Sequence, residues 1–219
     1  AIERLCEIVK TRLSKQPVVV LSAISKATDT LISCAILAAE GKLNKANEKV
    51  SKLRERHLKI ASDLIKEKVS LAELNEKLSE YFTDLKDLLN GVSLLSELSP
   101  KSHVRIISYG ELLSTLITSY AMKERGINSV LLDSRNFIIT DNNYLKGEPQ
   151  NHGIALKTQS ELLKFIKKGY VPIIQGFISR SKNGIQTVLG RGGSDYTASL
   201  VGMALNAKEI EIWTDVDGM

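Results

Sequence analysis

Leu5, Ile8, Val9 and Leu13 recur every three or four residues, so the spacing predicts an amphipathic helix over residues 2–14. Pro17-Val18-Val19-Val20-Leu21 follows as an unbroken β-branched run, the pattern of a strand buried on both faces. Ser22 to Ala27 reads as a small-residue loop, and Thr28-Asp29 stands before a second helical periodicity through Leu31, Ile32, Ala35, Ile36 and Ala39. From Leu43 to Leu98 apolar residues come at helical spacing among charged ones. That block predicts several antiparallel helices packed on one side of a sheet, as scaffold rather than chemistry.

Beyond Pro100 the pattern predicts a strand at His103–Ser108, a turn at Tyr109-Gly110 and a helix from Glu111 to Arg125. Ser129–Asp133 reads as a strand, about Gln159–Lys168 as a helix, and Val171–Phe177 as a strand that reaches a glycine turn. Asn183-Gly184 between two strand-like runs signals a hairpin. A helix over about Tyr196–Leu205 and a strand at Ile210–Thr214 close the series. Strands alternating with helices predict an α/β fold: an open, mostly parallel sheet with helices on both faces, plus the mainly helical stretch at about 43–98. Ligands of such sheets gather at the carboxyl ends of the strands, where the unusual loops of this sequence fall.

Composition changes this picture little. The 219 residues, 43% hydrophobic and 25% charged, suit one domain with one substantial core. No apolar run approaches the roughly 20 residues that span a bilayer, and the first residues lack the order of a signal peptide, so a cytoplasmic protein without membrane contact is expected. The net charge of +5 is not gathered into a stripe: residues 42–101 carry twelve Lys/Arg against ten Asp/Glu. With aromatics at 5%, a nucleic-acid surface is not expected, whereas a pocket for phosphate and carboxylate is compatible with the charge. Cys6 and Cys34 sit among apolar residues and read as buried reduced thiols. His57 and His152 lie in polar surroundings, His103 begins a predicted strand, and no His/Cys/Asp grouping has zinc spacing or forms a defensible triad.

Three segments carry candidate chemistry. In Gly190-Arg191-Gly192-Gly193-Ser194-Asp195 the glycines let backbone approach a ligand, a helix starts at once, and Arg191 offers a planar fork for a carboxylate or phosphate. Ser194 and Asp195 could cap that helix, and the whole segment reads equally as a flexible turn with an ordinary N-cap. Glu111 opens a helix, where the dipole favours a carboxylate; it could also hold a substrate ammonium, and with Arg191 would recognise an amino acid. Thr214-Asp215-Val216-Asp217-Gly218 reads either as a simple Asx-turn or as a nucleotide or metal loop.

Leu189 to Ala198 followed by Ile212-Trp213-Thr214-Asp215-Val216-Asp217-Gly218 closely resembles the aspartokinases, members of the amino-acid-kinase fold. Val18–Ala23 with Thr28-Asp29, Ser108–Ser114, Asp133-Ser134-Arg135 and Gln175-Gly176-Phe177-Ile178 fit the same family, so the likeness runs essentially the whole length. The resemblance implies phosphorylation of the L-aspartate side-chain carboxylate by ATP with Mg²⁺, the first step of lysine, threonine and methionine biosynthesis. It implies that Arg191 holds the aspartate α-carboxylate, that Glu111 binds its amino group, and that Thr28, Ser194 and the backbone of Phe177 contact the substrate. It further implies that Ser22, Gly192, Gly193, Thr214 and Asp215 lie on the nucleotide, and that Asp195 orients the family's catalytic lysine.

That lysine stands in a Lys-Phe-Gly-Gly-Thr-Ser segment after the family's first strand, and this sequence opens in what corresponds to the following helix. The expected domain is therefore residues 1–219 as an amino-acid-kinase catalytic domain without its first strand and its C-terminal part, and without the family's ACT modules. A homo-oligomeric parent enzyme is implied, and a homoserine dehydrogenase fusion is left open. A truncated, catalytically inactive piece with a structural or dimerising role, or another amino-acid kinase, is the alternative reading.

Overall fold

The computed structural model describes residues 1–213. In chain order it contains α1 (Ile2–Arg12), β1 (Val19–Leu21), α2 (Ala27–Ala39), α3 (Leu43–Leu64), α4 (Lys68–Leu95), α5 (Pro100–Ile107) and α6 (Tyr109–Glu124). Then follow β2 (Ser129–Leu132), β3 (Ile139–Thr140), α7 (Asn151–Ile166), β4 (Val171–Gln175), β5 (Ile178–Ser181), β6 (Gln186–Val188) and α8 (Gly193–Ala204).

The main sheet is parallel in the order β1-β4-β2, with Val19 opposite Ile173 and Leu131 opposite the same residue on the other side. Because side chains alternate along a strand, the two faces of this sheet feed two apolar cores. Val19, Leu131 and Ile173 belong to the larger one, and Val20, Leu132 and Ile174 to the smaller one. Helix α6 lies against the first face and α7 and α8 cover the second, which is the expected layering with helices on both sides. A second, mixed sheet in the order β3-β5-β6 carries the hairpin through Asn183-Gly184, with Gly184 at a φ of 80°.

Helix α6 is buried from Tyr109 to Met122 although it contains Ser and Thr. Its hydroxyls bond back to the carbonyls of the preceding turn: Thr115 Oγ1 to Glu111 O at 2.8 Å, Thr118 Oγ1 to Ser114 O at 2.9 Å and Ser119 Oγ to Leu116 O at 2.7 Å. Those bonds remove the cost of burying unpaired polar groups. The stretch 43–98 is one helical hairpin, α3 and α4, packed on α2 and α6 rather than directly on the strands. Glu67 caps α4 with its carboxylate on the Val69 N–H at 3.0 Å.

Several expectations are corrected. His103–Ser108 is not a strand but lies in α5 and its C-terminal cap, and Tyr109-Gly110 is not a turn but the start of α6. Val104, Ile106 and Ile107 fit either period; the Ser99 N-cap, accepting from the Ser102 N–H at 3.2 Å, and Pro100 at the helix start decide for helix. Residues 210–213 pair with no strand among the described residues, although their β-branched pattern suggested one. Helix α7 starts eight residues before the expected Gln159, and α8 starts at Gly193 with Gly192 as its cap, so neither Ser194 nor Asp195 caps it. His57 is fully buried in α3, its Nδ1 on Leu53 O at 2.7 Å and its ring edge-on to Phe82. Cys6 and Cys34 are buried free thiols, as expected. No helix among the described residues is long and apolar enough to cross a membrane.

Candidate active site

The carboxyl ends of β1 and β4 and the amino ends of α2, α6 and α8 meet at one edge of the main sheet. Ser22 follows β1, Thr28 is in the first turn of α2, Glu111 in the first turn of α6, Phe177 follows β4, and residues 190–195 lead into α8. All of them, with Gly190, Arg191, Gly192, Gly193, Ser194 and Asp195, line a single cleft of about 350 Å³. Thus every candidate within residues 1–213 comes to one place; Thr214 and Asp215 lie outside the described residues. A larger, shallow hollow is lined by Asn44, Asn47, Glu48, Ser51, Lys52 and Glu55, all on one face of α3. Side chains of a single helix do not converge on a ligand, so this hollow is a solvated face.

Glu111 is only 3% exposed. Its Oε1 accepts the Ala23 N–H at 3.2 Å, and its Oε2 has no partner despite being buried. Burial pushes the carboxyl up to about 7, with the Ala23 N–H pulling weakly the other way. Gly110 makes this approach possible, since a Cβ there would stand 2.7 Å from Ala23 Cβ and 3.3 Å from Thr28 Oγ1. A carboxylate with an unused buried oxygen facing a cleft calls for a donor from a ligand.

The start of α8 lines the same cleft. Gly190 and Gly192 take φ values of 78° and 73°, a backbone that L side chains rarely adopt. Gly176 and Gly193 are needed for space: a Cβ at Gly176 would lie 2.6 Å from Ser194 Cβ, and one at Gly193 would lie 2.8 Å from the Phe177 ring. Phe177 itself has a φ of 65°, held by its N–H on Thr197 Oγ1 at 3.0 Å and by its carbonyl accepting the Leu189 N–H at 2.9 Å. Among the described residues the N–H groups of Ser194 and Asp195 find no acceptor, and Arg191 is exposed without an ion pair. Unbonded amides at a helix start beside a guanidinium are an arrangement that favours an anion.

Spacing alone missed the close-packing residues: Gly110, Gly176 and Ala23, and the buried Gln175. Gln175 Nε2 donates to Thr115 Oγ1 at 3.1 Å and its Oε1 accepts the Ser134 N–H at 3.0 Å, which ties the end of β4 to α6. Only long-range packing reveals such roles, although the Gly-Glu and Gln-Gly pairs at element ends were a visible signal. No cluster of three or more His, Cys, Asp or Glu suited to a metal ion occurs among the described residues.

The family model described as the amino acid kinase family matches residues 1–219. Aspartokinase 1 of Arabidopsis thaliana chloroplasts is 30% identical over 99% of this chain and 38% of its own length. The aspartokinase of Chlamydia trachomatis is 36% identical over 100% of this chain and 46% of its own. The structure of Escherichia coli aspartokinase III described as in complex with aspartate and ADP superposes with a TM-score of 0.89 at 31% identity, over 99% of this chain and 46% of that one. The chain thus spans less than half the length of these relatives. With its whole length matched by the family model and a fold shared with aspartokinases, the chain belongs to the amino acid kinase family.

Proposed function

We propose that this chain forms catalytic machinery of an aspartate kinase, which transfers the γ-phosphoryl group of ATP to the side-chain carboxylate of L-aspartate. The observation that carries the reading is that Glu111 and Arg191 line one cleft together with a helix start whose Ser194 and Asp195 amides are unbonded among the described residues. An α-amino acid presents an ammonium and a carboxylate, and these residues answer each with the opposite charge. Support comes also from the Escherichia coli relative, whose structure holds aspartate and ADP.

In this reading Glu111 accepts the substrate ammonium and Arg191 takes the α-carboxylate. Thr28, Ser194 and the Phe177 backbone complete the aspartate pocket and leave the β-carboxylate facing the nucleotide. Ser22 and the glycine turn at Gly192 and Gly193 lie toward the phosphates, with Thr214 and Asp215 on the nucleoside. Asp195, exposed in the first turn of α8, orients a lysine. A carboxylate oxygen then attacks the γ-phosphorus in line, the bond to the β,γ-bridging oxygen breaks, and ADP and 4-phospho-L-aspartate result. Such transfer rests on positioning and charge neutralisation, so no protein nucleophile is required. Mg²⁺ would enter on the nucleotide phosphates and offset their charge, the described residues holding no acidic cluster of their own for it.

The test is a hydroxamate trap for aspartyl phosphate, run on the 219-residue chain and on a version extended with the family's Lys-Phe-Gly-Gly-Thr-Ser strand and C-terminal segment. ATP-dependent product from the extended version supports the reading, and activity there with glutamate or another amino acid in place of aspartate would overturn the substrate assignment.

A further inference from the structure

The Asp133-Ser134-Arg135 motif does not line the cleft, yet it heads a polar chain that ends beneath Glu111. Arg135 forks onto Asp133, with Nε 2.9 Å from Oδ1 and Nη2 2.7 Å from Oδ2. Its remaining arm, Nη1, donates to Gln186 Oε1 on β6 at 3.1 Å. Gln186 in turn donates through Nε2 to Ser108 Oγ at 2.6 Å, and that hydroxyl donates to Val104 O at 2.6 Å. Ser108 is the single residue between α5 and α6, and its carbonyl accepts the Leu112 N–H at 3.2 Å. Tyr109 beside it is buried, edge to face with Tyr81 of α4 at 6.0 Å.

Each link in this chain has a fixed direction. Gln186 uses its oxygen on Arg135 and its nitrogen on Ser108, and the Ser108 hydroxyl both accepts and donates. No member can reverse without leaving another unpaired, so the chain permits one placement of Ser108. The first turn of α6 follows directly, with Gly110 against Ala23 and Glu111 on the Ala23 N–H.

We infer that Asp133, Arg135 and Gln186 are positioning residues that hold the start of α6, and through it the Glu111 carboxylate, in place to meet the substrate ammonium. None of them lines the cleft, and the inference rests on the assignment of Glu111 to the aspartate pocket. A spacer role alone would be met by any residues of similar bulk; this chain is specific in donor and acceptor.

The test measures two things on Q186A, Q186E, R135K and S108A. The first is hydrogen exchange of the Ala23 amide, which reports the contact to Glu111 without any ligand. The second is the calorimetric affinity for aspartate and for ADP. Q186A and S108A should each speed Ala23 exchange about tenfold and weaken aspartate by a similar factor, with non-additive effects in the double variant and exchange within α7 unchanged. Q186E retains the Arg135 contact but has no donor for Ser108 and should behave as Q186A; it also replaces that variant if Q186A fails to fold. R135K keeps charge beside Asp133 but loses the second arm and should show the same direction. ADP affinity should stay within twofold. Unchanged Ala23 exchange in all four variants overturns the inference. If the unaltered protein takes up ADP but no aspartate, the functional reading fails while Ala23 exchange still decides on the brace.

Discussion

Replacing Glu111 by Gln should stabilise the ligand-free protein above neutral pH while removing the proposed ammonium partner. Burial raises the Glu111 carboxyl from an ordinary 4.5 to about 7. Folding therefore binds a proton at this site, and the stability it contributes is complete below about pH 4.5 and lost as pH rises through 7. At roughly 1.4 kcal/mol per pH unit, the gap between the two values corresponds to about 3 kcal/mol of stability lost by pH 8. Gln keeps an oxygen for the Ala23 N–H but as a neutral acceptor, which gives back about 1 kcal/mol. Glu111→Gln should thus exceed the parent by about 2 kcal/mol at pH 8, or roughly 4–8 °C in Tm for a chain of this size, and show no advantage at pH 4.5. Thermal and urea unfolding of both proteins at pH 4.5, 6, 7 and 8 measures the difference, in which all other titrations cancel. Parallel curves with no pH-dependent gap would refute the assignment of a buried, incompletely paired carboxylate at Glu111. Millimolar aspartate should raise the Tm of the parent at pH 8 and leave that of the variant unmoved.

Arg191→Ala should weaken aspartate binding at least tenfold with Tm unchanged, since the exposed side chain makes no ion pair among the described residues; calorimetry and a thermal scan check both halves. Gly176→Ala places a Cβ 2.8 Å from Ser194 Cα, a backbone atom, so α8 must shift; a loss of about 1–3 kcal/mol in urea unfolding is expected, and a neutral result would mean that the β4–α8 contact is loose. Leu113→Ala, fully buried in α6, should cost about 2–5 kcal/mol by the same measurement. Cys34 is buried with its thiol pushed up to about 11, so it should react with an aromatic disulfide reagent only as fast as the protein opens, and rapid labelling in native buffer would contradict that burial.

Periodicity read α1 to α4 because an apolar face repeats along them, and the parallel strands because their apolar runs bury both faces, as Val19 and Val20 do toward separate cores. It failed at Val104–Ile107, where so short an apolar run fits a strand as well as a helix and the Ser99-Pro100 start signal decides. It failed again at residues 210–213, since a β-branched run becomes a strand only when a neighbour accepts its hydrogen bonds. The candidate site was legible through the glycine loop before α8 and the acidic residue after Gly110. The separate roles within it came from the likeness to aspartokinases and not from spacing.

The sequence by itself determined the α/β class, the helical character of residues 43–98, the β5–β6 hairpin and the residues to watch, because local periods, turn residues and glycines act over a few neighbours; that residues 43–98 form one hairpin, α3 and α4, rather than several helices was decided by the structure. Tertiary structure alone decided that Glu111 and Arg191 line the same cleft, that Gly110 and Gly176 are spacers, and that Arg135 reaches Ser108 through Gln186. These contacts join residues from about 20 to almost 90 positions apart, and their energies depend on burial and on the direction of each donor. Neither quantity exists until the chain has packed.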